Sequence, residues 1–215
     1  MKKITKLVLL PLCTIALVAC SSGSEIDYYK ALDYSKKNYS VDAVLEKYQS
    51  VTYDRVVKEI TAKPVKIDDE DEDDFKKQCL AILDNVKAYY GTTTAKETVV
   101  LNAVNVQSYF FGEAFLNQLN NTYSSPEIKP IYSISKKGME ATSTYSFAYP
   151  QKELELHGAK EGGIAVNVKI KCDTMGCVTE TEGMTAVTID VDGDKKADVE
   201  YTFSVSAKFT WNPKE

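Results

Sequence analysis

Four aspartates stand close together in one short segment near the end of the chain. They are Asp190, Asp192, Asp194 and Asp198. Calcium takes six to eight oxygen ligands, and a short loop can supply them from carboxylates and one backbone carbonyl. With Asp190 counted as position 1, the carboxylates fall at positions 1, 3, 5 and 9, and Lys196 stands at position 7, where calcium loops use the carbonyl. These five residues are therefore the candidate ligands of a structural calcium ion.

The segment resembles the calcium-binding loops of integrin-type propeller repeats, which lie in hairpins. The resemblance covers nine residues in a single copy, so it implies a calcium loop and not a propeller fold. One position departs from the pattern, because Lys195 stands where such loops carry a glycine with positive φ. A lysine there is strained and brings a positive charge beside the ion. The alternative is an acidic hairpin turn without metal, since Asp-Gly pairs favour tight turns for backbone reasons alone.

The strands that flank this loop can pair in two registers. If Ile189 faces Val199, the apolar residues of both strands share one face and Asp190 stands opposite Asp198. Facing like charges destabilise a sheet unless a cation lies between them. The other register pairs Asp190 with Lys196 and needs no cation, but it moves a lysine onto the apolar face. The sequence leaves both registers open.

Strands must position this loop, and the second half of the chain predicts them. From Val199 to Trp211 the odd positions are apolar and the even positions polar, and Ile164 to Ile170 repeats the alternation. This period of two predicts antiparallel strands with one buried face and one face in water.

The first half predicts helices. Apolar residues recur at helical spacing from Val41 to Ile60, after an N-cap at Ser40, and again from Phe75 to Tyr90. A capping box at Thr94–Glu97 opens a third segment that we interpret as a helix.

Helices followed by strands predict an α+β fold for residues 25–215. We expect helices over about residues 25–123, packed on an antiparallel sheet of about five or six strands over about residues 128–215. The turn-rich stretch between them contains Pro126 and Pro130.

The first twenty residues carry an export signal. Three lysines precede the apolar run from Leu7 to Ala19, which ends in Leu17-Val18-Ala19-Cys20. The run is too short to span a bilayer, which needs about 20 residues, and its charged start is typical of a secretory signal. An ordinary cleaved signal and an uncut anchor are the alternatives.

The four residues that end at Cys20 resemble the lipobox of bacterial lipoproteins. The resemblance implies that residues 1–19 are removed and that Cys20, whose thiol is nucleophilic, carries the lipid, with residues 20–24 as the lipidated cysteine and its tether. It places the protein outside the cytoplasm, held by lipid to a bacterial membrane. Loss of residues 1–19 removes three lysines and no acid, so the formal charge falls from −5 to −8.

Two cysteines bracket a short turn between predicted strands. Cys172 and Cys177 enclose four residues, and directly opposed cysteines in antiparallel strands lie within bridging distance. An exported protein meets oxidising conditions. We expect a disulfide between them, with two free thiols as the alternative. Cys79 lies on an apolar helix stripe, so we expect it to be a buried thiol.

Charge and motifs narrow the functional classes. The negative balance argues against nucleic acid as a partner. The sequence contains no nucleophile elbow, phosphate-binding loop or zinc-protease motif, and its single histidine, His157, has no triad partners nearby. We expect a non-catalytic envelope protein that binds a protein or small ligand through its sheet or its tyrosine-bearing helices. The alternatives are an envelope hydrolase that uses carboxylates and a calcium-stapled structural or adhesion module.

Overall fold

The computed structural model describes residues 24–64, 73–90, 94–123, 130–156 and 158–215. In these ranges a single antiparallel sheet contains eight strands. The strands are β1 (Ser24–Ile26), β2 (Tyr48–Pro64), β3 (Ala95–Val100), β4 (Ile131–Ser135), β5 (Gly138–Ala148), β6 (Glu161–Cys172), β7 (Val178–Asp190) and β8 (Val199–Pro213). Their order across the sheet is β1-β4-β5-β6-β7-β8-β2-β3.

Helices precede, interrupt and link these strands. They are α1 (Tyr28–Asn38), α2 (Val41–Lys47), α3 (Asp73–Tyr90), α4 (Glu113–Tyr123), α5 (Gln151–Leu156) and the 3-10 helix η1 (Asn105–Tyr109). Asp27 caps α1 by accepting the Lys30 N–H, and Ser40 caps α2 by accepting the Ala43 N–H. Among the helices of the described ranges, none has the length and apolar character that a membrane span requires.

The α+β class is confirmed, but the predicted strand count is too low and the first half is not all helical. The predicted helix from Val41 ends at Lys47, where β2 begins and pairs with β8 along almost its whole length. The segment after Thr94 is the strand β3 before it becomes helical. Pairing with strands distant in sequence determines the secondary structure of these segments, because β8 is buried on one face and needs a hydrogen-bonded strand on each edge.

Two hydrophobic cores lie on the same face of the sheet, one near each end of the strands. The alternating residues of β6 show this, because Ile164 belongs to one core and Ile170 to the other. The core around Ile170 is covered by α1, α2, α4 and η1. The core around Ile164 is covered by α3 and α5. Alternation along the strands therefore produces the single helix-bearing face that the sequence predicts.

The opposite face carries a row of alternating charges, which we call the charge row. Register places its members side by side on successive strands: Glu140, Lys171, Glu180, Lys208, Asp54 and Lys96. The Lys171 ammonium lies 2.6 Å from the Glu180 carboxylate. Opposite charges on facing positions stabilise strand pairing, so the row supports the register of six strands.

The sheet has two distinct ends. One end, which we call the tether end, carries the start of β1, the β4–β5 turn, the β6–β7 turn and the last residues of β8. The other, which we call the aspartate end, carries the β7–β8 turn and the connection from β5 through α5 to β6. The outermost strands are β1, with 3 residues, and β3, with 6 residues.

Candidate functional site

The β7–β8 pairing fixes the geometry of the aspartate segment. Ile189 pairs with Val199 and Val187 with Tyr201, which is the first of the two registers that the sequence leaves open. This register keeps the apolar residues together on the helix-bearing face. It also starts and ends the turn with an aspartate, at Asp190 on one strand and at residue 198 just before the other.

Asp190 organises the turn. Its side chain is only 6% exposed, and its two carboxylate oxygens accept backbone N–H groups from Gly193 at 2.6 Å and from Lys195 at 2.8 Å. Lys195 has a φ of 70°, the left-handed conformation that the calcium-loop pattern requires at this position. The strain expected for a lysine at this place is therefore present in the structure.

Three of the predicted ligands converge. One carboxylate oxygen from each of Asp190, Asp192 and Asp194 lies within 4.8 Å of the other two. Asp192 and Asp194 are exposed, so water and ions reach the cluster from one side. Both carboxylates also accept backbone N–H groups of the turn. Asp192 accepts the Asp194 N–H at 2.8 Å, and Asp194 accepts the Lys196 N–H at 2.7 Å. The donor set is all oxygen and anionic, so this aspartate cluster could hold a hard cation.

Asp198, the fourth predicted carboxylate, is not part of this cluster. The role of the Lys196 carbonyl as a ligand stays a prediction. Asp198 accepts the Val191 N–H at 2.7 Å, and this bond closes the base of the turn. Burial raises the pKa of Asp198, and the nearby charges of Asp192 and Asp190 raise it further against that hydrogen bond. The Lys196 ammonium lies 3.2 Å from Asp194, so its side chain neutralises part of the cluster.

The cysteine turn differs from its prediction. Cys172 pairs with Val178, and the Asp173 N–H donates to the Cys177 carbonyl at 2.9 Å, so the two cysteines are not directly opposed. Both are buried free thiols. The predicted facing arrangement is therefore wrong, and the disulfide itself stays a prediction.

Burial raises the pKa of each cysteine thiol among the described residues. It raises the pKa of Cys172 to about 12 and that of Cys79 to about 11, and it raises the pKa of Cys177 as well. The thiolate is the reactive form of cysteine, and a raised pKa keeps these thiols protonated at neutral pH. Cys79 is a buried free thiol in the core under α3, which confirms its prediction.

A second feature was not predicted, and we call it the aromatic platform. Tyr53 of β2, Tyr109 of η1 and Phe209 of β8 form three mutual ring contacts, with centroids 6.0 to 6.4 Å apart. All three are half-buried on the helix-bearing face. The Tyr53 hydroxyl donates to Glu97, and this bond raises the pKa of Tyr53. Sequence patterns could not find the platform, because its members come from three distant segments.

The lipidation residue Cys20, its tether up to residue 23, and His157 lie outside the described residues. Comparison with protein families, with characterised proteins and with solved structures finds no match for this chain.

Proposed function

We propose that this protein is a lipid-anchored, extracytoplasmic binding protein that contacts a protein partner in the bacterial cell envelope through the aromatic platform. The export signal and the lipobox-like Leu17–Cys20 segment support the anchor. The platform is the observation that carries the binding role, since it gathers aromatic rings on a half-exposed surface.

The chemistry of the platform suits a protein partner. Tyrosine offers a large rigid ring with a polar tip and loses little conformational freedom on binding, which is why recognition surfaces use it. Tyr53 is already fixed by its bond to Glu97 and by its near-parallel ring contact with Tyr109, at 25° between planes. A surface held rigid before binding loses less entropy when the partner arrives.

Photocrosslinking in intact cells tests this proposal. A benzophenone amino acid replaces Tyr109 in one variant and Ser146 in another, since Ser146 is exposed on the opposite, polar face of the sheet. We expect a discrete protein adduct from position 109 that weakens when Tyr53→Ala is added. No discrete adduct at position 109, or the same adducts from both positions, would reject the platform as the contact surface.

The aspartate cluster supports a second function, the calcium-stapled module that the sequence leaves as an alternative. We propose that the turn holds one Ca²⁺ through Asp190, Asp192 and Asp194, completed by water or turn carbonyls, and that the ion acts as a structural staple. The three convergent carboxylates support this assignment. A bound ion would also offset the repulsion that these carboxylates exert on one another.

Thermal unfolding with and without calcium tests the staple. We expect millimolar calcium to raise the melting temperature of the parent protein and Asp192→Ala to abolish the rise. Asp173→Ala serves as the control, because Asp173 lies at the opposite end of the sheet and should leave the calcium response intact. A melting temperature that does not respond to calcium would contradict the assignment.

A further inference from the structure

The face of the sheet opposite the two cores, which we call the open face, carries no helix in the described ranges. Its charge row lies near the tether end, and its middle is uncharged. Register gives the middle side chains at two successive levels: Thr144, Asn167, Met184 and Ser204, then Ser146, Ala165, Ala186 and Thr202. An uncharged centre beside a charged border is the usual layout of a protein interface.

The level of the charge row crosses the whole sheet. Glu25 pairs with Ser133, and Ser133 pairs with Glu140, so each of the eight strands contributes one residue. In sheet order the residues are Glu25, Ser133, Glu140, Lys171, Glu180, Lys208, Asp54 and Lys96. When this order is reversed and set against itself, every charge meets the opposite sign, except that Ser133 meets Asp54. The row is therefore complementary to a reversed copy of itself.

A two-fold axis along the strands, between β6 and β7, reverses the row in this way. It stacks the open faces of two copies with all eight strands overlapping, because four strands lie on each side of it. Glu140 then faces Lys208 of the second copy, and Lys171 faces Glu180. Such long side chains reach across the roughly 10 Å between stacked sheets, whose strands stay nearly aligned. An axis along the row would instead set each charge against its own copy.

The neighbouring level of the open face is complementary about the same axis. Its residues, in sheet order, are Ile131, Thr142, Lys169, Glu182, Ser206 and Val56. Lys169 faces Glu182 of the second copy. Ile131, which is 52% exposed, faces Val56. An axis one strand away, between β7 and β8, would set Lys169 against Val56, so this second level favours the axis between β6 and β7.

The remaining charges of the open face lie toward the aspartate end. Glu200 faces Ala148 of the second copy, and Lys58 faces none of the described residues. One like-charged pair remains, because Glu161 faces Asp190. The Asp190 side chain is 6% exposed and accepts two N–H groups of its own turn, so its charge is partly compensated. Opposite pairs therefore outnumber like pairs across the stacked faces.

The area of the open face is sufficient for a stable contact. The four central strands, β5 to β8, contain 11 to 15 residues each. At the usual spacing and rise they cover about 19 Å by about 37 Å, or roughly 700 Å². The overlapping border strands add to this, which brings the face to the size of a standard interface, about 800 Å² per partner.

We propose that this protein forms a two-fold symmetric homodimer through the open faces of its sheets, with β6 of each copy over β7 of the other. The pairing requires neither the lipid anchor nor the aromatic platform, which lies on the helix-bearing face and stays accessible. Because the axis runs along the strands, Ser24 lies at the same end of both copies. Two copies held in one membrane can therefore pair in this way.

Co-capture of two differently tagged copies of the full chain, co-expressed and solubilised in mild detergent, tests the dimer. We expect each parent copy to recover the other. Glu140→Lys in both copies sets like charges face to face at two symmetric contacts, and so does Lys208→Glu in both copies. Each should lower recovery at least about tenfold. With Glu140→Lys in one copy and Lys208→Glu in the other, both contacts are opposite again, and recovery should return to the parent level.

The mixed pair separates an interface effect from a folding effect, because misfolded chains would not regain partners on mixing. Lys36→Glu and Glu113→Lys are the controls, since they reverse the charges of an ion pair on the helix-bearing side and should leave recovery unchanged.

A second facing pair repeats the test with exposed residues. Glu25→Lys and Lys96→Glu are used in the same combinations, which keeps the test decisive if a variant at position 140 or 208 fails to fold. Failure of the parent copies to recover each other overturns the dimer. So does recovery that persists between like-charged copies, or a loss that the mixed pairs do not reverse.

Discussion

The Lys195 backbone N–H donates to the Asp190 carboxylate at 2.8 Å, and Lys195 makes this bond from a left-handed φ of 70°. Lys195 thus adopts a backbone conformation that a glycine would adopt without strain. The bond secures one oxygen of the buried aspartate, and the strain is local to a single residue.

Replacing this residue should stabilise the turn. A non-glycine residue in the left-handed region costs about 1 kcal/mol or more, part of which glycine returns through its larger freedom in the unfolded chain. We expect Lys195→Gly to raise the free energy of unfolding by about 0.5 kcal/mol. Chemical denaturation measures the change, and Lys195→Ala, which also removes the charge but keeps a Cβ, is the control. A glycine variant no more stable than the alanine variant would contradict the strain argument.

Removing the hydroxyl of Tyr132 should stabilise the core around Ile170. Its side chain is fully buried, and its hydroxyl has no hydrogen-bond partner among the described residues. We expect Tyr132→Phe to raise the free energy of unfolding by about 1 kcal/mol, because it removes an unsatisfied buried group and leaves the ring in place. Tyr29→Phe is the matched control, since Tyr29 is 78% exposed and should change little. Denaturant titration at neutral pH decides the outcome, and a destabilised Tyr132→Phe would mean that the hydroxyl has a partner.

Tyr132 also makes stability depend on alkaline pH. Burial raises the pKa of Tyr132 to about 12, so the folded protein holds this proton more tightly than the unfolded chain does. The associated stability is complete below the unfolded value near 10 and is lost as the pH rises toward 12. The phenylalanine variant should therefore lose less stability than the parent between these two values.

The charge row predicts a loss of stability in acid. The hydrogen bond from Lys171 lowers the pKa of Glu180. A lowered carboxyl pKa stabilises the fold above the unfolded value of about 4.3, and the benefit disappears as the pH falls through the folded pKa. We expect a double-mutant cycle on this pair to give about 0.5 kcal/mol of coupling at pH 7 and none in strong acid.

The same cycle on an exposed pair provides the comparison for Glu180. Lys77 and Asp74 lie three residues apart on α3, and both are far more exposed than the sheet pair. Their coupling at pH 7 should be smaller. Equal coupling in the two pairs would show that the partial burial of the sheet pair adds nothing.

Gly138 should tolerate no side chain. Its φ is 133°, and a Cβ at this position would lie 2.0 Å from the Cys172 carbonyl oxygen. We expect Gly138→Ala to lower the free energy of unfolding by about 3 kcal/mol, because backbone atoms would have to move. Gly183→Ala is the matched change, since its Cβ would meet nothing closer than 3.7 Å, and it should be neutral or slightly stabilising. Thermal and denaturant unfolding of both variants measure the difference.

The sequence predicts the strands whose faces differ cleanly and misses those whose faces do not. In β8 the alternation is uninterrupted, and the strand is where the pattern places it. In β2, Arg55 and Glu59 stand on the helix-bearing face, and the register shifts after Glu59. These two charged residues and the bulge hide the period of two, so β2 resembles an amphipathic helix until its pairing with β8 is known.

The sequence likewise predicts the aspartate cluster of the candidate site and misses the aromatic platform. Asp190, Asp192 and Asp194 lie within six residues of each other, so local spacing was enough to predict that they converge. The aromatic platform depends on the pairing of Tyr53 with Phe209 across β2 and β8 and on the position of η1 above them. No local pattern contains that information.

The short border strands of the sheet bear on how these molecules behave when many share one membrane. Lipid anchoring would confine neighbours to two dimensions, where an open backbone edge is a template for polymerisation. Here β3 covers only Ser50–Arg55 of β2, so among the described residues positions 56–64 of β2 have no strand on their outer edge. Crowded copies would therefore meet an open stretch of β2, where the exposed charges of Lys58 and Glu59 oppose edge-to-edge pairing between the sheets of two molecules.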